Sequence, residues 1–140
     1  MKIYKLLLLG FLLCIHLSCS AQLVKTLDDV GKIKPHEKEF ISKPLETFLK
    51  EVRPQIKLFF THPGTPEQRG YITLLFVNYD QYKKLVKDKK KKVRIIVFLK
   101  EPFDPNDEQL PIEKRFIWTK YDKQLYGDLT VTGIEVFGEN

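Results

Sequence analysis

The amino-acid sequence predicts an α+β fold, with an antiparallel sheet of about four strands and one main helix, about residues 43–52, packed on one face. Three observations support this prediction. One strong helical signal precedes four strand-like runs, the runs follow one another along the chain, and repeating βα units of the kind that a parallel sheet needs are absent from the sequence.

The main helical signal lies in residues 42–52. Apolar residues recur there at i, i+3, i+4 and i+7, which is the spacing of one helical face: Leu45, Phe48, Leu49 and Val52. Ser42 is the predicted N-cap, and Pro44 falls in the first turn, where a missing N–H costs little. Pro54 disfavours helical geometry at the preceding residue and so ends the helix.

The four strand-like runs are residues 56–60, 71–77, 93–99 and 129–137. The run 71–77 is apolar on both faces, which predicts a central strand that is covered on both sides, at least in part. The run 93–99 alternates, with Val93, Ile95, Val97 and Leu99 on one face. The run 71–77 is therefore expected in the interior of the sheet.

The last strand changes phase along its length. Leu129 and Val131 define one face, whereas Ile134 and Val136 are out of step with them by one residue. A one-residue shift would turn every later side chain to the wrong face. A β-bulge at residues 132–133 would correct the phase, and Gly133 is the residue type that such bulges favour. A two-faced strand without a bulge is the alternative.

The connections between the runs differ in character. Residues 61–70 and 101–111 are predicted loops, because both are rich in turn residues. Residues 78–92 are expected to hold a short helix, since tyrosines and aliphatic residues recur there at roughly helical spacing. Residues 119–127 predict another short helix, and Gly127 would suit a left-handed C-terminal cap.

The N-terminal segment has the features of a signal peptide. Residues 1–21 combine a charged start, an apolar run and small residues before Gln22. Cleavage after Ala21 would release a periplasmic or secreted protein. The alternative is lipidation of Cys19, which would tether the protein to a membrane surface. We therefore expect a signal peptide over 1–21, an extended N-terminal arm over 22–39 with at most one helical turn, and a single domain over 40–140.

Export also changes the cysteine count and the net charge. Cys14 and Cys19 both lie in the signal segment, so the processed chain has no disulfide and depends on its own core for stability. Loss of Lys2 and Lys5 lowers the net charge from +6 to +4. This is a moderate excess, below that of a dedicated nucleic-acid-binding protein, so nucleic acid is an unlikely partner class.

The usual catalytic and metal-binding sets are poorly represented. After residue 21 there is one serine, Ser42, and there are two histidines, His36 and His62. No motif indicates a nucleophile beside a base. Two histidines without a cysteine are too few ligands for a zinc site. The sequence also contains no Gly-rich loop of the kind that binds phosphate. Residues 104–108 resemble the start of an EF-hand loop, but Gln109 and Arg115 replace its glycine and its glutamate. The sequence therefore predicts no catalytic residues, metal or cofactor.

A basic run over residues 83–94 is the strongest charge feature. Its candidate binding residues for phosphates, lipid headgroups or other anions are Lys89, Lys90, Lys91, Lys92 and Arg94. The alternative is a solvated loop whose lysines discourage sheet pairing. Aromatic residues precede this run and are not interleaved with it, which argues against single-stranded nucleic acid.

A group of aromatic residues follows the proline-rich loop and provides a second candidate surface. Trp118 and Tyr121 are its candidate binding residues, because exposed aromatic side chains commonly anchor partners. The alternative is that these rings close one end of the core.

Three stretches of the chain resemble small exported domains of unknown function found in the Bacteroidota. The Ser-Ala-Gln sequence at residues 20–22 resembles the end of a signal peptide from that phylum. Residues 40–49, residues 94–103 and the Phe-Gly-Glu-Asn ending resemble segments of such domains. The resemblance covers most of the chain after residue 21. Its motifs are structural, so it implies no activity and no catalytic residues.

Three functions remain open at this point. The first is a non-enzymatic module of the cell envelope that binds a protein or glycan partner. The second is an enzyme that uses carboxylates, such as a carbohydrate-active hydrolase, which requires a concave pocket with acidic residues. The third is attachment to an anionic surface through residues 83–94, which requires binding that weakens with salt.

Overall fold

The four predicted strand runs form one antiparallel sheet in the order β1-β2-β3-β4. The strands are β1 (Leu58–His62), β2 (Gly70–Leu75), β3 (Arg94–Leu99) and β4 (Val131–Phe137). The computed structural model describes residues 22–65, 67–105 and 110–138, except for the side chains of residues 112 and 113. The predicted signal peptide, Cys19 and most of the calcium-like segment 104–108 lie outside the described residues.

The strand register gives the sheet a covered face and an open face, and the open face is covered only at one end, where Leu58 and Leu75 are opposite each other and buried. Ile72, Val97 and Ile134 are opposite one another on β2, β3 and β4, and all are buried on the covered face. The next register row, Tyr71, Phe98 and Gly133, points to the other face, and its two rings are only half-buried. Because β2 and β3 lie in the middle of the sheet, the prediction of a central strand over 71–77 is confirmed.

The predicted bulge in β4 is confirmed. Phe98 is opposite Gly133, whereas Leu99 is opposite Val131, so Thr132 is the additional residue. The extra residue places both Val131 and Ile134 in the core, although three positions separate them. A regular strand could bury only one of these two side chains on that face.

The helical elements are short. The α-helices are α1 (Ile33–His36), α2 (Leu45–Leu49), α3 (Tyr79–Lys87), α4 (Ile112–Arg115) and α5 (Lys120–Tyr126). Reciprocal side-chain and backbone bonds fix the start of α3, where Asn78 N–H donates to Gln81 Oε1 at 3.0 Å and Gln81 N–H donates to Asn78 Oδ1 at 2.9 Å. Two predicted short helices, within 78–92 and 119–127, are thus present.

The predicted main helix is confirmed in a shorter form. Its apolar stripe is buried as expected, but regular α-helix is limited to α2, and Pro44 occupies the N-cap position. The prediction of Ser42 as the N-cap was wrong, because Ser42 has φ of 63° and its N–H donates to Val131 O. The backbone hydrogen bond from Ser42 to β4 holds this residue outside the helix, so its side chain does not cap α2.

The expected extended arm was also wrong. The chain is helical without a break from Leu27 to Glu39, because 310 turns at Leu27–Lys32 and Glu37–Glu39 flank α1. Val24, Val30 and Ile33 are fully buried in the same core as the strand residues. Leu27, Val30 and Ile33 recur every three residues, which is the period of a 310 helix and differs from the 3.6-residue period of an α-helix. The segment 22–39 therefore belongs to the domain.

Short segments cover parts of both sheet edges. On β4, Val131 N–H donates to Lys43 O at 2.9 Å, and Ile134 N–H donates to Glu37 Oε1 at 2.9 Å. On β1, Phe59 N–H donates to Phe116 O at 2.9 Å. These bonds satisfy backbone groups that would otherwise invite pairing with another chain.

Two further local findings complete the fold. Gly127 follows α5 with φ of −59°, so the predicted left-handed cap was wrong and the chain continues in right-handed geometry. Within the residues described, no helix is long and apolar enough to cross a bilayer.

Candidate functional site

A groove of about 610 Å³ lies where the open sheet face meets the β4 edge. Its floor is one register row of the sheet, in which His62, Tyr71 and Phe98 are neighbours on β1, β2 and β3. The rings contact one another in series, with centroids 4.8 Å apart for His62 and Tyr71 and 5.7 Å apart for Tyr71 and Phe98. A continuous aromatic floor is the result.

A glycine makes the floor concave. Gly133 ends the aromatic row on β4, and the position that its Cβ would occupy is 3.4 Å from Phe98 Cδ2 and 3.7 Å from Glu37 Oε1. A larger side chain there would fill the hollow beside Phe98. The bulge at Thr132 therefore has two consequences, since it sets the phase of β4 and places a residue without a side chain in the groove.

Polar side chains form the rim of the groove. Gln68 and Arg69 come from the β1–β2 connection and are exposed, and Glu135 is exposed on β4. Glu37 lies on the N-terminal helical segment, and its Oε1 is engaged by Ile134 N–H. The rim thus offers amide, guanidinium and carboxylate groups, which together supply hydrogen-bond donors and acceptors.

One hydroxyl beside the groove lacks a hydrogen-bond partner among the described residues. Thr132 Oγ1 is buried, and it belongs to the extra residue of the bulge. An unsatisfied buried hydroxyl costs stability, because it loses its bonds to water without gaining others. The bulge is therefore a locally destabilising feature beside the groove.

Two carboxyl groups with shifted pKa values lie away from the groove lining. A hydrogen bond from the Lys32 ammonium, followed by one from Thr26 N–H, lowers the pKa of Asp29 to about 2. The Thr130 hydroxyl and N–H, each 2.7 Å from a Glu101 carboxylate oxygen, lower the pKa of Glu101. Both carboxylates are thereby held in the ionised state as acceptors for neighbouring backbone and side-chain donors.

The predicted basic residues lie at the far end of the sheet. Lys89, Lys90 and Lys91 follow α3 and are exposed. Lys92 Nζ lies 4.9 Å from the ring centroid of Tyr82, and the Arg94 guanidinium carbon lies 4.6 Å from that of Phe137. These cations lie on one side of the molecule, around α3 and the start of β3, and apart from the groove.

Trp118 and Tyr121 occupy different environments. Trp118 is half-buried, with its ring centroid 5.2 Å from that of Phe59 and 6.5 Å from that of Tyr126, so it packs against the core. Tyr121 lies on α5 with 59% of its surface exposed. The two rings do not share the groove of the open face.

Most of the groove was not anticipated from the sequence. His62, Tyr71 and Phe98 meet only through sheet register, and Glu37, up to 61 positions away from them in the chain, joins the groove through its bond to Ile134 N–H. The available signal was the alternation of β3, which placed Phe98 opposite to the buried face. Without the strand order, that signal does not identify the neighbours of Phe98.

Comparison with known proteins returned no matching family model, no matching curated protein and no matching solved structure. Within the described ranges, His, Cys, Asp and Glu residues do not form any group of three or more suited to a metal ion.

Proposed function

We propose that this protein is an exported module of the cell envelope that binds a glycan in the groove of the open sheet face. The observation that carries the proposal is the aromatic row His62, Tyr71 and Phe98 beneath a polar rim. A sugar ring has an apolar C–H face, which packs on aromatic rings, and hydroxyl groups around its edge, which need donors and acceptors. The groove supplies both kinds of contact.

The size and openness of the groove favour a glycan over a folded protein partner. A cavity of about 610 Å³ lies in the range of small-ligand sites, and its aromatic floor is concave. A protein interface more often uses a broader surface with a dry apolar centre. The signal-like features of residues 1–21 support exposure of the groove to envelope or external polysaccharides.

The test is binding to a panel of immobilised bacterial, plant and fungal polysaccharides, followed by calorimetry with an oligosaccharide of the best binder. Tyr71→Ala should weaken binding at least about tenfold, since it removes the middle ring of the floor. Tyr121→Ala is the matched control, because Tyr121 is exposed on α5 and lies outside the groove.

A second pair of variants separates binding from folding. Arg69 is exposed on the rim, so Arg69→Ala should weaken binding about three- to tenfold and leave the unfolding midpoint unchanged. Arg53→Ala is its control, on an exposed arginine elsewhere. Full binding by both groove variants, or loss of binding in the Tyr121 variant alone, would contradict the proposal and would favour the surface around Tyr121.

The groove also supports a second candidate, the carboxylate-based hydrolase. Its motivation is that Glu37 and Glu135 line the same groove. Release of reducing ends from the bound oligosaccharide, abolished by Glu37→Gln or Glu135→Gln, would establish it. Stable binding without product over prolonged incubation would leave the non-enzymatic module.

A further inference from the structure

The positive charge of this protein is concentrated in one surface. Residues 83–94 contain eight of the 24 lysine and arginine residues and one of the 18 acidic residues. Their net charge of +7 exceeds the +6 of the whole chain, so the remainder is close to neutral. We call this region the basic surface: Lys83, Lys84, Lys87, Lys89, Lys90, Lys91, Lys92 and Arg94. Such segregation creates a strong local field at moderate net charge.

The helix α3, which carries three of the eight residues of the basic surface, is amphipathic but only partly covered. Tyr79 and Tyr82 face the domain, where their ring centroids lie 6.4 Å from that of Phe116 and 5.1 Å from that of Phe60, respectively. Val86, on the same helical stripe, is 48% exposed, and none of the residues of α3 is buried. An aliphatic side chain is therefore presented to solvent among lysines.

Aromatic rings and cations are paired along this surface. Lys83 Nζ lies 4.8 Å from the ring centroid of Tyr79, and Lys92 Nζ lies 4.9 Å from that of Tyr82. These contacts place amphipathic tyrosines beside ammonium groups, a combination suited to the boundary between water and hydrocarbon. Because the rings already contact other aromatic residues and cations, they are poorly placed to stack on nucleic-acid bases.

The turn after α3 holds a lysine where glycine is favoured. Lys90 N–H donates to Leu85 O at 3.0 Å and Lys89 N–H donates to Val86 O at 3.2 Å, which is the Schellman pattern of a helix end. Lys89 has φ of 51° in this motif. The position thus retains a charged side chain at a backbone cost that glycine would avoid.

We infer that the basic surface docks the protein on an anionic phospholipid bilayer. The lysines contact phosphate-bearing headgroups, and the exposed Val86 side chain lies at headgroup depth. The inference rests on charge complementarity and on the exposed aliphatic residue, and it is independent of what the sheet-face groove binds. It also places the groove, at the opposite end of the sheet, away from the membrane.

The experiment is co-sedimentation of the full chain with vesicles of equal parts phosphatidylglycerol and phosphatidylcholine, compared with phosphatidylcholine alone. The quantity measured is the ratio of the two partition coefficients. The apolar part of residues 1–21 contributes to both coefficients and cancels, whereas Lys2 and Lys5 add the same anionic preference to every variant, so comparison between variants isolates the basic surface. This ratio should exceed about 30-fold at about 50 mM salt and approach one at about 500 mM salt.

Charge reversal provides the matched comparison. Lys90→Glu with Lys91→Glu should lower the partition into anionic vesicles by roughly 30-fold, since each lysine near the surface contributes about 1 kcal/mol. Lys43→Glu with Lys120→Glu makes the same change in net charge on exposed residues outside the basic surface. An equal loss of vesicle binding in both double variants, or no loss in the variant with Lys90→Glu and Lys91→Glu, would overturn the inference.

A third variant distinguishes a bilayer from a soluble polyanion. Val86→Ser should weaken binding to anionic vesicles about three- to tenfold and leave binding to inorganic polyphosphate unchanged, because only the bilayer accepts the aliphatic side chain. If Val86→Ser has no effect on vesicle binding, the ligand is a phosphate polymer and not a membrane. Circular dichroism of each variant excludes unfolding of α3 as the cause.

Discussion

Replacement of the Thr132 hydroxyl tests how much free energy of unfolding is lost by burying it in the bulge. Its Oγ1 is buried without a partner among the described residues. Thr132→Val replaces the hydroxyl with a methyl group of similar size, and it should raise the free energy of unfolding by about 1 kcal/mol. Urea unfolding measures the change. A lower stability in the variant would mean that the hydroxyl has a partner, such as bound water, that the replacement removes.

Asp29 makes stability depend on acid pH. Its pKa is lowered to about 2 in the folded protein from an ordinary value of 3.8, so its contribution is fully present above about pH 5 and is lost as the pH falls from about 4 to 2. Asp29→Asn should therefore be less stable than the parent at neutral pH, and the difference should shrink at pH 2. Thermal unfolding across this range measures it, with Asp28→Asn as the control of equal charge. A difference that is independent of pH would contradict the assignment.

At the scale of elements, α3 ends on a strained residue. Lys89 has φ of 51° in a Schellman turn, so Lys89→Gly should raise stability by about 0.5–1 kcal/mol. Lys91→Gly is the control, because Lys91 has no positive φ, and it should lower stability by a similar amount. Chemical unfolding of both variants gives the comparison. Equal destabilisation by both glycines would mean that the turn relaxes in solution.

The elements also show which structural features can be predicted from residue patterns and which cannot. The phase change in the last strand predicted a bulge at residues 132–133, with a two-faced strand as the alternative. The structure has the bulge, which buries both Val131 and Ile134 on one face. The N-cap of the main helix was not predictable in the same way. Ser42 has the right chemistry for a cap, but its backbone is bonded to β4, a partner 89 residues away.

At the scale of the whole molecule, the N-terminal segment is part of the core. Ile33 is fully buried with the strand residues, so Ile33→Ala should cost about 2–5 kcal/mol of unfolding free energy. Leu27→Ala, in the same segment but 37% exposed, should cost less than about 1 kcal/mol. A small effect of Ile33→Ala in denaturant unfolding would indicate that the segment detaches as an arm, as the sequence suggested.

Several properties were determined by the sequence alone. The α+β class, the four strands, the bulge and the concentration of charge in residues 83–94 follow from local periodicity, turn chemistry and composition, which act over a few residues. Only the tertiary structure decided that residues 22–39 complete the core and that His62, Tyr71, Phe98 and Gly133 form one row. Sheet register brings together residues that are distant in the chain, and one sequence carries no local signal of that pairing.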